Sequence, residues 1–254
     1  MNTYCIATIV NHEEITSGIW KMELEASEIA QTARPGQFIQ LYPWDERNML
    51  ARPISLSSIS EKSVTIVYRV VGKGTRQLSK LQNNDRIRVM GPLGNGFTKK
   101  PGTAVLMGGG IGIPPMLQLA KELSAMGATV QAVLGYRDET FLDDAFAPYA
   151  DVFYASEDGT HGVKGNVMDA LREYGITGDT IYACGPTPML RAIQSYALEQ
   201  GIEAQLSLEE KMACGIGACL ACVCKSKEKD HHTNVNNKRI CKDGPVFLAG
   251  EVEF

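Results

Sequence analysis

The chain has 254 residues, a formal net charge of −4 and a hydrophobic fraction of 44%, which are ordinary values for globular domains. Its length suits two domains with a small appendage, and its acidic balance gives no reason to expect a nucleic-acid partner. No apolar run approaches the roughly 20 residues of a membrane helix, and the N-terminus lacks the features of a signal peptide. We therefore expect a cytoplasmic protein that binds neither nucleic acid nor membrane.

Residues 1–99 have the pattern of short β-strands separated by turns. These segments are rich in β-branched and aromatic residues, and Pro and Gly separate them. The predicted strands are Tyr4–Val10, Gly18–Leu24, Gln37–Tyr42, Ser63–Val71 and Arg86–Met90. Many short antiparallel strands without long helices predict a small barrel or sandwich.

Three segments of this region have the chemistry of a phosphate or ring-binding site. In Arg52-Pro53-Ile54-Ser55, the arginine can pair with a phosphate and the serine can hydrogen-bond a ring nitrogen. The same string is also typical of the beginning of a strand. The turn-rich segments Gly72–Thr75 and Gly91–Phe97 either cradle a phosphate or simply turn the chain.

Residues 100–205 alternate between strands and helices, which predicts a parallel sheet with helices on its faces. One helix carries an apolar face at Met116, Leu119, Ala120 and Leu123 and ends at Gly127. A second helix is predicted at Met189–Leu198. The predicted strands are Thr103–Met107, Thr129–Leu134, Val152–Ala155 and Thr180–Cys184.

A glycine-rich turn joins the first of these strands to its helix. Gly109, Gly110 and Gly112 let the backbone close on a pyrophosphate, and the following helix N-terminus supplies unpaired N–H donors. Pro115 stands where the dinucleotide-binding fingerprint has its third glycine. A turn of this kind is weak evidence alone, and the strand–turn–helix context strengthens it.

A second loop, at Cys184-Gly185, follows the last of the predicted strands. Ligands of open α/β sheets bind at the carboxyl ends of strands, so this loop is well placed for a nicotinamide, although it also fits an ordinary strand–helix turn. We predict a preference for NAD over NADP, because Asp138 or Glu139, after Leu134, can accept a hydrogen bond from the ribose and repel a 2′-phosphate, although Arg137 would favour NADP.

Residues 206–254 contain five of the seven cysteines, which in a reducing compartment favours metal binding or catalysis over disulfides. Cys214, Cys219 and Cys222 have the spacing of a plant-type [2Fe-2S] loop, and 18 residues separate them from a fourth cysteine, Cys241. Small residues between them suit a backbone that wraps closely around inorganic sulfide.

The alternatives at this site are zinc and free thiols. Zinc sites usually offer two separated cysteine pairs or mixed histidine ligands, whereas His231 and His232 lie in a polar stretch that resembles a solvated hairpin. We interpret Cys224 as structural. The basic residues of this region either form a solvated surface or steer an acidic partner; they are Lys225, Lys227, Lys229, Lys238, Arg239 and Lys242.

In this order the motifs resemble the ferredoxin-reductase superfamily over nearly the whole chain. A C-terminal segment with Glu-Glu-Lys-Met-Ala-Cys-Gly-Ile-Gly-Ala-Cys and Asp-Gly-Pro-Val-Phe is most similar to one family within it. That family is the electron-transfer subunits of NAD-dependent (type B) dihydroorotate dehydrogenases.

The resemblance implies three domains and three cofactors. An antiparallel flavin-binding β-barrel would span 1–99, a parallel-sheet nicotinamide-binding domain 100–205 and a small [2Fe-2S] domain 206–254. FAD would lie against Arg52, Pro53, Ile54, Ser55, Tyr68, Arg69, Val70, Gly74 and Thr75. NAD would lie between Gly109, Gly110 and Gly112 on one side and Cys184 and Gly185 on the other. Cys214, Cys219, Cys222 and Cys241 would ligate the cluster.

The resemblance also implies a partner, an FMN-containing subunit that oxidises dihydroorotate in a heterotetramer. No residue of this chain is expected to be catalytic, and electrons would pass from FMN through the cluster and FAD to NAD. Two other hypotheses are a diaphorase subunit of a sulfide- or hydrogenase-linked complex and a zinc-bearing interaction module. Bound flavin and iron–sulfur colour would exclude the zinc module.

Overall fold

Residues 3–93 form a closed antiparallel barrel of six strands, in the order β1-β2-β5-β4-β3-β6. The computed structural model describes residues 3–43, 50–137, 139–229 and 234–254. The barrel strands are β1 (Thr3–Thr16), β2 (Ile19–Glu25), β3 (Phe38–Tyr42), β4 (Arg52–Ile59), β5 (Ser63–Arg69) and β6 (Arg86–Leu93), with the short helices α1 (Ser27–Ala30) and α2 (Lys73–Leu78). The predicted antiparallel barrel is confirmed.

Alternation along the strands explains why the barrel closes. On β3, Ile39 and Leu41 are fully buried in the barrel core, so Gln40 between them faces outward. Of β4, the sequence indicated only a strand beginning at Arg52–Ser55, because proline and four hydroxyl or charged residues interrupt its apolar pattern. The segment Arg52–Ser55 is the first half of this strand.

The second sheet has seven strands in the order β10-β9-β8-β7-β11-β12-β15. All neighbours are parallel except the last pair, β12 and β15. Its strands are β7 (Thr103–Gly109), β8 (Thr129–Tyr136), β9 (Asp151–Ser156), β10 (Val163–Lys164), β11 (Thr180–Cys184), β12 (Glu203–Ser207) and β15 (Val246–Leu248). The helices of this region are α3 (Pro114–Ala125), α4 (Asp143–Phe146), α5 (Val167–Glu173) and α6 (Thr187–Gln200), and Gly110–Gly112 form a 3-10 turn.

The strand order reverses between β7 and β11. From β7 the chain moves outward to β8 and β9, whereas from β11 it moves in the opposite direction to β12. The loops that leave these two central strands therefore diverge and leave a crevice between them. Such a switch point is where open α/β sheets bind ligands.

The C-terminal segment packs directly on this sheet. It forms a two-stranded hairpin, β13 (Val223–Lys225) with β14 (Asn237–Arg239), and its strand β15 pairs with β12. Phe247 and Val252 share one apolar core with Leu206. The boundary expected between residues 205 and 206 falls inside β12, and the ranges 1–99, 100–205 and 206–254 remain a proposal. In the described residues, no helix is long and apolar enough to cross a membrane.

Candidate functional site

The four cysteines of the predicted cluster site come together as two adjacent pairs. The backbone N–H of Cys219 donates to the Cys214 sulfur at 3.4 Å, and that of Cys241 donates to the Cys222 sulfur at 3.4 Å. Cys222 and Cys241 are buried, whereas Cys219 is exposed. The loop and the distant fourth cysteine therefore meet as the spacing predicted.

Backbone N–H groups of the loop point at the sulfur atoms. Gly217 donates to the Cys241 sulfur at 3.1 Å and Ala218 to the Cys214 sulfur at 3.3 Å. The loop can turn in this way because Gly215 and Gly217 have φ values of 71° and 83°, a region that favours glycine. Donors of this kind stabilise negative charge on sulfur and tune a bound cluster.

These contacts shift the pKa values of the thiols in opposite directions. Burial raises the pKa of Cys214, but N–H bonds from Ile216, Cys219 and Ala218 outweigh it and lower the value to about 6. Burial, together with the neighbouring Cys222, raises the pKa of Cys241 to about 12. The lowered pKa of Cys214 favours its thiolate, the form that ligates metals.

The cysteine arrangement fits a binuclear cluster better than a single zinc ion. Among the described residues, no three His, Cys, Asp or Glu side chains converge closely enough to hold one metal ion. A [2Fe-2S] cluster instead distributes four thiolates over two irons, which suits two adjacent pairs. His231 and His232 lie outside the described residues. Cys224 lies apart on β13, where its thiol donates to the Lys238 carbonyl at 3.6 Å.

Two of the basic residues near the cysteines are paired within the chain. The Arg239 guanidinium binds both oxygens of Asp243, at 3.0 and 3.1 Å, and Lys238 lies 3.4 Å from Glu251. Arg239 also donates to the Gly217 carbonyl at 3.4 Å. Arg239 therefore braces the cysteine-bearing loops, whereas Lys238 ties β14 to the C-terminal segment.

The cysteine loop lies against the barrel strand β3. The Gln40 amide donates to the Ala213 carbonyl at 3.2 Å, one residue before Cys214. On the other side of the site, the Asn95 amide donates to the carbonyls of Lys242 and Asp243 at 3.1 and 3.0 Å. The barrel therefore holds both cysteine-bearing segments.

The predicted flavin motif lies on the strand next to β3. β4 pairs with β3 through Arg52–Ser55 and with β5 from Leu56 onward. In the described structure the β5-facing backbone edge of Arg52–Ser55 thus has no ladder partner. Unpaired backbone groups at the surface of a barrel are available to the polar edge of a planar ring, so this segment fits a flavin.

Arg52 and Gly74 come together although 22 positions separate them in the chain. The Arg52 guanidinium lies so close to Gly74, in the first turn of α2, that a Cβ there would be 1.8 Å from Nε. Thr75 is buried, and its hydroxyl accepts the N–H groups of Val71 and Gly72 at 3.0 and 3.2 Å. A fixed guanidinium beside a glycine backbone suits a pyrophosphate.

Tyr68 is placed differently from its neighbours Arg69 and Val70. Its side chain is 1% exposed and lies in the barrel core, where its hydroxyl is 2.9 Å from Nε2 of His12. Nδ1 of His12 is 2.8 Å from the Leu81 carbonyl, beyond α2. Arg69 is exposed and Val70 half-buried. Tyr68 is therefore a residue of the barrel core, and the FAD-binding roles of these residues stay predictions.

The two loops predicted for NAD face each other across the switch point. A Cβ on Gly112 would lie 2.2 Å from the Cys184 carbonyl oxygen and 2.7 Å from the Gly185 nitrogen. A Cβ on Gly109 would lie 2.5 Å from the Met189 sulfur. Gly110 has a φ of 53° and an open side. The close approach of the two backbones explains why the glycines are required, and NAD binding there remains a prediction.

The glycine-rich turn also approaches the flavin strands. The turn packs against β5, and the helix that follows it crosses β4, where Gln118 accepts from the Ile59 N–H at 2.8 Å and Lys121 donates to the Ser58 hydroxyl at 2.9 Å. The expected nicotinamide and flavin sites are therefore neighbours.

The residues expected to select NAD follow β8. Glu139 accepts a hydrogen bond from the Thr16 hydroxyl of the barrel, Arg137 is exposed, and Asp138 lies outside the described residues. The preference for NAD over NADP thus stays a prediction.

Sequence reasoning missed Gln40, His12 and Asn95. Each is a polar residue in a strand or turn with an ordinary local pattern, and its partner lies 56 to 173 positions away. No local signal could have identified them.

Comparison with known proteins places these sites in a family. A model described as the iron-sulfur cluster binding domain of dihydroorotate dehydrogenase B matches residues 209–253. The electron transfer subunit of dihydroorotate dehydrogenase B (NAD(+)) from Fusobacterium nucleatum is 41% identical over 97% of each chain. The subunit of the same name from Bacillus cereus is 41% identical over 96% of each chain.

Solved structures agree with the fold. A structure of the NADH-dependent reduced ferredoxin-NADP oxidoreductase, described for flavin-based electron bifurcation, has a TM-score of 0.88 and 29% identity, covering 98% of this chain and 90% of its own. The ferredoxin reductase in carbazole 1,9a-dioxygenase has a TM-score of 0.67 and 20% identity, covering 79% of this chain and 67% of its own. With 41% identity over almost its entire length, the chain belongs to the family of electron transfer subunits of dihydroorotate dehydrogenase B.

Proposed function

We propose that this chain carries electrons between an FMN-containing dihydroorotate dehydrogenase subunit and NAD, through a [2Fe-2S] cluster and FAD. The observation that carries the proposal is the position of Gln40 between the flavin motif and the cysteine loop. This residue pairs in register with Pro53 of the flavin motif, and its amide binds Ala213 at the beginning of the cysteine loop. Neighbouring strands are about 4.8 Å apart, so the flavin and cluster sites are adjacent.

The chain's own residues would hold each cofactor by matching chemistry. Arg52 and the Gly74–Thr75 turn would bind the FAD pyrophosphate, and the free backbone edge of Arg52–Ser55 would bind the ring. Cys214, Cys219, Cys222 and Cys241 would ligate the cluster. The Gly109–Gly112 turn and Cys184-Gly185 would bind NAD. When bound, FAD exchanges electron pairs with a nicotinamide and single electrons with a cluster.

The relatives are named as subunits of a larger enzyme, which supports a separate catalytic partner for this chain as well. We propose a heterotetramer with two copies of each subunit. The exposed Cys219 edge of the loop is where electrons would enter from the partner. Seven free cysteines and a thiolate-ligated cluster suit a reducing compartment, which supports a cytoplasmic location.

Mixing this chain with the FMN-containing subunit tests the proposal. The mixture is expected to couple dihydroorotate oxidation to NAD reduction, whereas the isolated chain oxidises NADH with artificial dyes only. Dihydroorotate turnover by the isolated chain would refute the subunit assignment. An absence of coupling in the mixture would refute it as well.

A second candidate is a diaphorase subunit of another flavin and iron–sulfur complex. It is favoured by the likeness to the NADH-dependent ferredoxin-NADP oxidoreductase structure, at 29% identity and a TM-score of 0.88. Affinity capture of the chain from its own cells separates the two candidates. Recovery of an FMN-containing dihydroorotate dehydrogenase supports the first, and recovery of a different flavoprotein supports the second.

A further inference from the structure

We propose that Gln40 is a positioning residue that fixes the approach of the cluster loop to the flavin strand. This inference rests on the proposed function, since it concerns the transfer of one electron between FAD and the cluster. In that step one group is oxidised by one electron and the other is reduced by one, and no bond is made or broken.

Gln40 occupies the junction of the two sites. Its side chain points outward from β3 because its neighbours Ile39 and Leu41 face the barrel core, yet it is 0% exposed. The cysteine loop is what covers it. A Cβ on Gly215 would lie 2.5 to 2.7 Å from the Gln40 amide atoms, so the loop backbone rests directly on the amide.

The hydrogen bonds of Gln40 fix the orientation of its amide. The Ala213 carbonyl can only accept, so the Gln40 nitrogen must face it, at 3.2 Å. The Tyr42 hydroxyl then donates to the Gln40 oxygen at 3.0 Å. Burial raises the pKa of Tyr42, and the nearby Tyr4 and Cys214 raise it as well. The Tyr42 hydroxyl therefore keeps the proton that it donates. Both ends of the amide are therefore satisfied.

The anchored peptide leads directly into the first cysteine. The Ala213 carbonyl belongs to the same peptide unit as the N–H of Cys214, and Cys214 receives the N–H bonds of Ala218 and Cys219. On its other side Gln40 pairs in register with Pro53 of β4. A displacement of the Gln40 amide would shift the cluster loop relative to the flavin strand.

The test compares Gln40→Met with the wild-type protein, both carrying FAD and cluster. The variant keeps the side-chain length but removes the donor to Ala213. NADH is mixed with each protein without oxygen, and the reduction of FAD and of the cluster are followed separately by absorbance. We expect FAD reduction to be unchanged and cluster reduction to slow by about tenfold, because small displacements of reacting groups have large effects on rate.

A spectroscopic readout accompanies the rates. The electron paramagnetic resonance spectrum of the reduced cluster is expected to shift in Gln40→Met, with iron and sulfide content unchanged. Tyr42→Phe keeps the ring and removes only the hydroxyl that orients the amide, so it should produce a smaller change in the same direction. If Gln40→Met loses iron, the rates and the spectrum of Tyr42→Phe still test the inference.

Gln194→Met is the matched control. The Gln194 amide also binds the C-terminal segment, donating to the carbonyls of Ala249 and Val252 at 2.6 and 2.8 Å, but away from the cysteine loop. It should leave both rates unchanged. Wild-type rates and spectra in Gln40→Met and Tyr42→Phe would overturn the inference. A wild-type cluster that NADH cannot reduce would overturn the proposed function instead.

Discussion

Cys219 is the exposed member of the four predicted ligands, and it lies far from the flavin motif in the sequence. Replacing it by serine removes one thiolate without opening a buried cavity. We expect Cys219→Ser to lose cluster iron and acid-labile sulfide, to weaken the C-terminal fold and to keep its FAD, because the flavin motifs lie on the barrel. Iron and sulfide assays, together with the flavin spectrum, measure the outcome.

Cys224→Ser is the control for this substitution. Its thiol donates to a backbone carbonyl on the β13–β14 hairpin, and a serine hydroxyl can do the same. Iron content should equal that of the wild type. A Cys219→Ser protein with full iron content would refute the ligand assignment.

Gly112 tests the nicotinamide site because a methyl group there collides with the Cys184 carbonyl. Gly112→Ala should push the two loops apart, at a cost of about 1–3 kcal/mol. We expect the KM for NADH to rise about tenfold with FAD content unchanged. Gly250→Ala, where nothing lies within 4 Å of the added methyl, is the control. An unchanged KM in Gly112→Ala would place the nicotinamide elsewhere.

His12 should make the stability of the barrel depend on pH. Burial lowers its pKa from 6.5, although the hydrogen bond to Leu81 raises it. The unfolded chain therefore binds the proton first, and stability is lost as pH falls from 6.5 through the folded-state pKa. His12→Gln keeps a donor and an acceptor but does not titrate.

Denaturant titrations at several pH values compare the two proteins with FAD bound. The wild type should lose more unfolding free energy below pH 6.5 than His12→Gln, by up to about 1 kcal/mol per pH unit. Parallel pH profiles would show that folding does not lower the pKa of His12.

Among the elements, those with regular patterns were predictable from the sequence. Five strands of the barrel, the strands β7, β8, β9 and β11 and the long helices α3 and α6 follow from apolar periodicity and from Gly and Pro between them. β4 was indicated only at its beginning, because serines and a proline hide its alternation. β15 escaped prediction, because its pairing with β12 is set by a strand 39 residues earlier in the chain and not by local pattern.

The connection between the barrel and the sheet is clamped by a strand of the sheet. Gln205 on β12 accepts from the Thr98 N–H and donates to the Thr98 carbonyl, both at 2.8 Å. Gln205→Leu leaves both groups without this partner and should destabilise the protein by about 1–3 kcal/mol. Chemical denaturation measures the change in unfolding free energy.

Gln131→Leu is the matched control. It removes one exposed hydrogen bond, from the Gln131 side-chain amide to the Thr177 carbonyl. Its effect should stay within about 0.5 kcal/mol. Equal losses of unfolding free energy in the two variants would show that the hydrogen bonds at Thr98 contribute no more to stability than one exposed hydrogen bond.

Across the whole molecule, the order of the motifs predicted the three kinds of site, but not how they meet. Cysteine spacing, the glycine-rich turn and the arginine motif are local signals. The contacts that join them, such as Gln40 with Ala213 and Gly112 with Cys184, link residues 72 to 173 positions apart. They are properties of the tertiary fold, and only the structure displays them.

Electrons from a nicotinamide should reach the cluster of this chain through its flavin. To measure this, the isolated protein is reduced by NADH without oxygen and examined by electron paramagnetic resonance. We expect the signal of one reduced [2Fe-2S] cluster per chain, and we expect this signal to disappear in Cys219→Ser while FAD is still reduced. A wild-type protein whose FAD is reduced by NADH while its cluster stays oxidised would refute this path of electrons.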